Sequence, residues 1–428
     1  MTTAGNLCRL RMGVPVATPI GLREWKVAAA ACWTGKEARS AFEREMRDFL
    51  GVRWVRSTVS GRAALYLALV AMRRSIHRNE VVIPAFVCPS VGRAVLKAGL
   101  SPVLCDVGPT GSGLDPDDLR RKLSDRTLAV VTAHLFGFPV EVENISSLAH
   151  SAGAFVIEDA AQAFGAKIHG RRAGTSADVG IFSFGLSKVL WSFAGGALCS
   201  NNTALSAGLD DVLGEVQTPG WLREWQGTAK GALLSLLIRS HHLGPVAAIW
   251  NGALRGKHDC DDFPCELCAS STAALGRHMI QRFYEITSVR RGNAERYAAA
   301  LAGLEGITIP KPDANCEPVY LRFPVIVRDI AIKRRILSQL GRAGINASEM
   351  YTRDSYQALN TFTAGAARCP SAEYLVDRML NLPTHCYLTD AEMRSAIQIF
   401  RGILPTRAPD HVAGMVGNPA AVCATSME

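Results

Sequence analysis

The chain has 428 residues, 48% hydrophobic and 20% charged. That balance supports a large buried core and excludes a mainly disordered or collagen-like protein. The 47 Lys and Arg against 38 Asp and Glu leave a net charge of +9. The basic residues fall in short groups (Arg73-Arg74, Arg171-Arg172, Lys333-Arg334-Arg335) with no basic stripe interleaved with aromatics, so no nucleic-acid partner is expected.

Residues 1–35 read as an N-terminal segment without the apolar stretch of a signal peptide. With twelve cysteines spread along the chain, a reducing cytoplasmic location is expected. Residues 36–50 (KEARSAFEREMRDFL) place Ala41, Phe42, Met46 and Leu50 on one side ahead of Gly51, which predicts an amphipathic helix and its stop. Strands are then predicted at Val81–Ile83, Pro102–Cys105, Leu128–Ala133, Ala154–Ile157, Val179–Phe182 and Ala197–Cys199, each followed by a helix-like stretch. That alternation predicts an α/β fold with a mostly parallel central sheet flanked by helices. Ala63 to Met72 (AALYLALVAM) is apolar almost all round, as a helix buried against such a sheet should be.

Within a large domain spanning 36–280, residues 202–268 form a helix-leaning insert containing Trp221, Trp225 and Trp250. Its apolar run Gly231 to Ile238 is far short of the ~20 residues that span a bilayer. Core or dimer interface is the expected use of that run, and membrane association is not expected. One long helical pattern, 269–304, leads into a smaller C-terminal α+β domain, 281–405. A strand is predicted there near Val319–Val327, with helices near Ala331–Ala343 and Asp390–Ile403. Residues 406–428, rich in Ala, Pro and Gly, read as a flexible tail.

In an open parallel sheet reactive groups collect beyond the carboxyl ends of the strands. Ser60-Gly61-Arg62-Ala63 opens the buried helix and offers backbone N–H groups to a phosphate. Asp159 follows four apolar residues at the edge of the core, where a carboxylate can hold a protonated ring nitrogen; it also fits a helix N-cap before AAQAF. Lys188, in FSFGLSKVL, suits Schiff-base chemistry if the sheet partly desolvates it. Together these groups describe a site for pyridoxal 5'-phosphate (PLP). His134 fits either a satisfied histidine at a strand end or a substrate contact.

The segments VSGRAALYLAL (59–69), HLFGFP (134–139), VIEDAAQAFGAKIHGRRAG (156–174), DVGIFSFGLSKVLWSFAGGALCS (178–200) and LNLPTH (380–385) resemble the DegT/DnrJ/EryC1/StrS aminotransferases. These are fold-type I PLP enzymes, many of which aminate keto groups on nucleotide-linked sugars. The resemblance implies that Lys188 forms the internal aldimine and then acts as acid and base, that Asp159 keeps the pyridine nitrogen protonated, and that Gln162 lies near the ring. It further implies that Ser183 and the N–H groups of Gly61, Arg62 and Ala63 hold the phosphate. The implied reaction is ping-pong transfer from an amino donor, commonly glutamate, to a keto-sugar or related acceptor, in a homodimer. A PLP-dependent dehydration or elimination is an alternative, against which Lys188 argues, because the dehydratases of this type carry His there. A PLP-binding regulatory protein with little turnover is another.

Three features depart from the family pattern. Arg62 stands where Thr is frequent, and its side chain is expected either on the phosphate or in solvent. Cys88 stands where many members place an aromatic ring over PLP, with Phe86 two residues earlier. No Gly-x-Asn-x-Arg-like segment is recognisable between Ser200 and Ser270. His258, Cys260, Cys265 and Cys268 supply enough ligands for zinc, but their irregular spacing favours no metal.

Overall fold

A computed structural model describes residues 18–33, 35–239, 263–363 and 367–406. The chain starts with helices Leu22–Ala31 (α1) and Lys36–Leu50 (α2), the second ended by Gly51 at φ 71°. Strand Trp54–Thr58 (β1) leads into helix Gly61–Ser75 (α3). There follow Glu80–Pro84 (β2), Pro89–Lys97 (α4), Ser101–Cys105 (β3), Pro116–Lys122 (α5), Thr127–Ala133 (β4), Glu143–Ser151 (α6) and Phe155–Asp159 (β5). Two short strands, Lys167–Ile168 (β6) and Arg171–Arg172 (β7), precede Val179–Ser183 (β8) and Gly196–Ser200 (β9).

These strands form a seven-stranded sheet in the order β1-β9-β8-β5-β4-β2-β3. The pairs β2–β3, β2–β4, β4–β5 and β5–β8 are parallel, whereas β9 runs against both β8 and β1. The mostly parallel expectation therefore holds. β1 had no sequence signal: it is a five-residue edge strand (WVRST) with an arginine at its centre, so neither alternation nor a continuous apolar run marks it. α3 lies flat on the sheet with Ala64, Leu65, Ala68, Leu69 and Met72 buried, which is why its sequence is apolar on nearly every side.

The 202–268 stretch is helical over Thr203–Gly214 (α7) and Trp221–Arg239 (α8), with residues 215–220 and 263–268 non-helical. The 269–304 pattern is not one helix but two, Ser270–Gln281 (α9) and Phe283–Leu301 (α10), broken at Arg282 (φ −94°, ψ 5°). The break turns the Phe283 ring into the core against Phe49 and Phe164. It also lets Arg282 donate to the Pro19 carbonyl and to Glu24, which ties α1 to the helix junction.

Beyond α10 come Ile307–Thr308 (β10), Cys316–Glu317 (β11), Phe323–Val327 (β12), Ile330–Arg342 (α11), Arg353–Thr361 (α12), Pro370–Arg378 (α13), Met379–Leu382 (β13) and Asp390–Ile403 (α14). The strand expected over Val319–Val327 is shorter because Tyr320 takes a left-handed turn (φ 45°). Strands β10, β12 and β13 form a second sheet. It packs with α10, α11 and α14 around Tyr297, Phe323, Ile336, Leu340 and Phe400. β11 pairs instead with β6, so the second unit is stitched to the loop that follows β5.

Candidate active site

Because β1 and β8 both oppose β9, their carboxyl ends open on the same edge of the sheet. The chain leaves β1 through Ser60, whose Oγ accepts a 3.1 Å hydrogen bond from Ala63 N and caps α3. A Cβ on Gly61 would come within 2.8 Å of Ser183 Cβ, and one on Gly196 within 2.2 Å of the Ser60 carbonyl carbon. Glycine at these two places is what allows the first turn of α3 to close on Ser183. Gly61, Arg62, Ala63 and Ser183 are thereby brought together at a helix N-terminus, a site that favours an anion. The half-buried Arg62 side chain places its guanidinium 4.9 Å from the centre of the Phe263 ring.

Asp159 ends β5, and its Oδ1 accepts from Ala161 N at 3.0 Å. Burial pushes its carboxyl above the ordinary range, opposed first by the charge of Lys188 and then by the Ala161 N–H. Asp159 Oδ2 and Lys188 Nζ carry no hydrogen bond among the described residues. Lys188 sits in the loop from β8 to β9, held by Lys188 N to Gly185 O (3.1 Å), Ser192 N to Phe184 O (3.0 Å) and Phe184 N to Gly195 O (2.8 Å). Behind it Val189, Leu190 and Trp191 are buried, so the loop is anchored and the lysine is presented from a fixed base.

His134 is fully buried and fully used. Its Nδ1 accepts from Val140 N at 3.0 Å, so the proton is on Nε2, which donates to Glu158 at 2.9 Å. Glu158 also accepts from Gly174, Ser176 and Ala177 N–H, each at 2.6 Å. Of the two readings the sequence left open for His134, the structure supports the satisfied strand-end histidine.

Gln162 stands three residues beyond Asp159, its Oε1 accepting from Phe136 N at 3.0 Å and its Nε2 donating to the Tyr351 hydroxyl at 2.6 Å. Tyr351 comes from the second unit, placed by a left-handed Met350 (φ 60°) and set edge-on against Phe86 at 5.2 Å. Cys88 is exposed at the N-cap of α4, accepts from Ser90 Oγ at 3.1 Å and lies within electrostatic range of Tyr351. Tyr351 escaped the sequence reading because it belongs to an irregular segment with no motif of its own.

His258 and Cys260 lie outside the described residues. Cys268 is fully buried, with its Sγ toward the Ala269 carbonyl and its thiol pushed up by burial. Among the described residues no three metal-ligating side chains cluster.

The profile of the DegT/DnrJ/EryC1/StrS aminotransferase family matches residues 25–214 and 269–401. The chain belongs to the DegT/DnrJ/EryC1/StrS aminotransferases. Among similar proteins, dTDP-4-dehydro-2,3,6-trideoxy-D-glucose 4-aminotransferase of Saccharopolyspora spinosa is 28% identical over 87% of this chain and 91% of its own. GDP-perosamine synthase of Caulobacter vibrioides is 33% identical over 85% and 89%. The aminotransferase TlmJ of Streptoalloteichus hindustanus shares the fold, with a TM-score of 0.74 at 23% identity over 91% of this chain and 98% of that one. As a DegT/DnrJ/EryC1/StrS aminotransferase the protein is a PLP-dependent enzyme. Its residues fit that cofactor: Lys188 Nζ and Asp159 Oδ2, without hydrogen-bond partners among the described residues, lie within electrostatic range of each other, and the start of α3 suits a phosphate. The stretch between the two matched parts, 215–268, holds α8.

Proposed function

We propose that this enzyme transfers an amino group from glutamate to a keto group on a nucleotide-linked sugar, with Lys188 and Asp159 as its catalytic residues. The observation that carries this reading is the convergence of Lys188 and Asp159 with the Ser183-facing first turn of α3 at one end of the sheet. PLP supplies, when bound, the electron sink through which an amino group is exchanged. The chain's own residues then divide the work. Ser183 and the backbone of Gly61, Arg62 and Ala63 would bind the phosphate, and Asp159 Oδ2 would hold the proton of the ring nitrogen. Lys188 Nζ would hold the cofactor and serve as the acid and base for the proton at the reacting carbon. Gln162, fixed by Phe136 and Tyr351, would orient the cofactor ring, and Cys88 would complete the cofactor site.

The sugar acceptor rests on the relatives, among them the 4-aminotransferase and the perosamine synthase named above. We further propose a homodimer with its active sites near the subunit interface, in the cytoplasm. The exposed Trp33, Trp221, Leu222, Leu233 and Leu236, on or close to α8, support an apolar contact face. None of the nine described cysteines is paired in a disulfide, which supports the compartment. Incubating the holoenzyme with glutamate and a panel of nucleotide-linked 4-keto and 3-keto sugars tests the function. Formation of 2-oxoglutarate that depends on a sugar, together with an aminated sugar product, is expected. Turnover only with simple keto acids would replace the acceptor class.

A further inference from the structure

Arg322, just before β12, is only 7% exposed. Its Nη1 donates to Ser348 Oγ at 2.6 Å, and its Nε has no partner. One of the five N–H groups a guanidinium carries is thus bonded, and no carboxylate among the described residues lies within ion-pair distance of it. Burial pulls its pKa down to about 10, with the charge of buried Arg290 acting in the same direction. A cation taken out of water without a counter-charge is costly, and the cost is recovered only when an anion arrives.

The neighbours of Arg322 say where that anion lies. Arg322 N donates to Phe136 O, while Phe136 N donates to Gln162. The guanidinium and the Tyr351 phenol are in electrostatic range, as are Tyr351 and Asp159. Arg322 therefore belongs to the Gln162–Tyr351 side of the site, and the phosphate-favouring turn at Gly61 and Ser183 is built from other elements.

We propose that Arg322 is the residue that binds the α-carboxylate of the amino donor, an inference that rests on the transaminase reading above. A planar carboxylate matches the planar donors of a guanidinium in a two-point contact. In an α-amino acid the carboxylate is attached to the same carbon as the amine, so its seat has to adjoin the reacting centre, and Arg322 stands beside the Phe136–Gln162–Tyr351 group that leads to Asp159. The diphosphate of a nucleotide-linked acceptor lies several bonds from its keto carbon and does not require a buried cation there.

The test uses the holoenzyme and its Arg322→Gln and Arg322→Lys variants, each checked for fold by circular dichroism and for the visible cofactor band. The donor half-reaction is followed with L-glutamate and with 1-phenylethylamine, an amine lacking a carboxylate. Binding of succinate, an unreactive dicarboxylate, is measured in parallel by titration calorimetry. Arg322→Gln is expected to lower the glutamate-to-phenylethylamine ratio of kcat/KM about 30-fold or more, mainly through KM, and to abolish succinate binding. Arg322→Lys should recover part of both. Equal losses with the two donors, or unchanged succinate binding in Arg322→Gln, would overturn the assignment. If the wild-type protein transfers no amine from any donor yet binds succinate through Arg322, the transaminase reading fails while the carboxylate seat stands.

Discussion

The 2.6 Å hydrogen bond from Gln162 Nε2 to the Tyr351 hydroxyl joins residues 189 positions apart and fastens the second unit to the loop that carries Asp159. Both side chains are buried, so the bond is protected from water and its loss leaves an amide donor without a partner. Tyr351→Phe should destabilise the protein by about 1–3 kcal/mol, read as a lower urea midpoint at unchanged slope. The same variant should weaken glutamate saturation, because Tyr351 lies between Gln162 and Arg322.

Asp159 yields a pH-dependent prediction. Its carboxyl is raised in the folded protein by burial, so ionisation penalises the cofactor-free fold. The penalty is absent below the unfolded value of ~3.9 and develops as pH rises through the raised folded value. Cofactor-free Asp159→Asn should therefore unfold at a higher temperature than cofactor-free wild type at pH 7, with the difference vanishing toward pH 4. With PLP added the order should reverse, because only the carboxylate can hold the ring proton. Melting curves at several pH values, with and without PLP, measure both effects.

Gly61→Ala puts a methyl group 2.8 Å from Ser183 Cβ and 3.0 Å from the Phe182 carbonyl oxygen. Both neighbours are on β8 within the sheet, so the turn rather than the strand has to move. A cost of about 1–3 kcal/mol is expected, together with weaker PLP binding in equilibrium dialysis. Gly208→Ala, where the added Cβ meets nothing within 4 Å, is the control and should bind PLP as wild type does.

Glu158 is adjacent to Asp159 yet serves the fold. Removing its carboxylate strands three N–H groups, that of Gly174 buried and those of Ser176 and Ala177 half-buried, and the His134 imidazole. Glu158→Ala should lose about 3 kcal/mol or more, whereas Glu158→Gln keeps an acceptor oxygen and should lose less. Urea unfolding of the two variants, compared with their cofactor spectra, separates a loss of stability from a loss of chemistry.

Much of this architecture was legible locally. α2 and α14 fall on their expected boundaries because each carries a one-sided apolar stripe with clear end signals: Gly51 after the first, and a Thr389–Glu392 capping box before the second. The six predicted strands are apolar runs buried on both faces, which sequence alone can mark. Lys188 and Asp159 were singled out for a different reason: Asp159 closes β5 and Lys188 lies in the loop just beyond β8, each within a short, dense motif. What sequence could not supply was long-range. β1 exists because β9 pairs with it, and the helix breaks at Arg282 because Glu24 and Pro19 receive the guanidinium. Tyr351 and Arg322 join the site only when the second unit folds back onto the loop after β5. Arg62 found Phe263, a partner some 200 positions away.

The central claim is that Lys188 holds the cofactor, and reduction with borohydride tests it most directly. The purified protein is saturated with PLP, reduced, digested and mapped by mass spectrometry, with and without prior addition of glutamate. The account predicts a stable phosphopyridoxyl group on Lys188 that is strongly diminished when glutamate is added first. Modification of another lysine with Lys188 untouched, or a Lys188 adduct indifferent to glutamate, would contradict it.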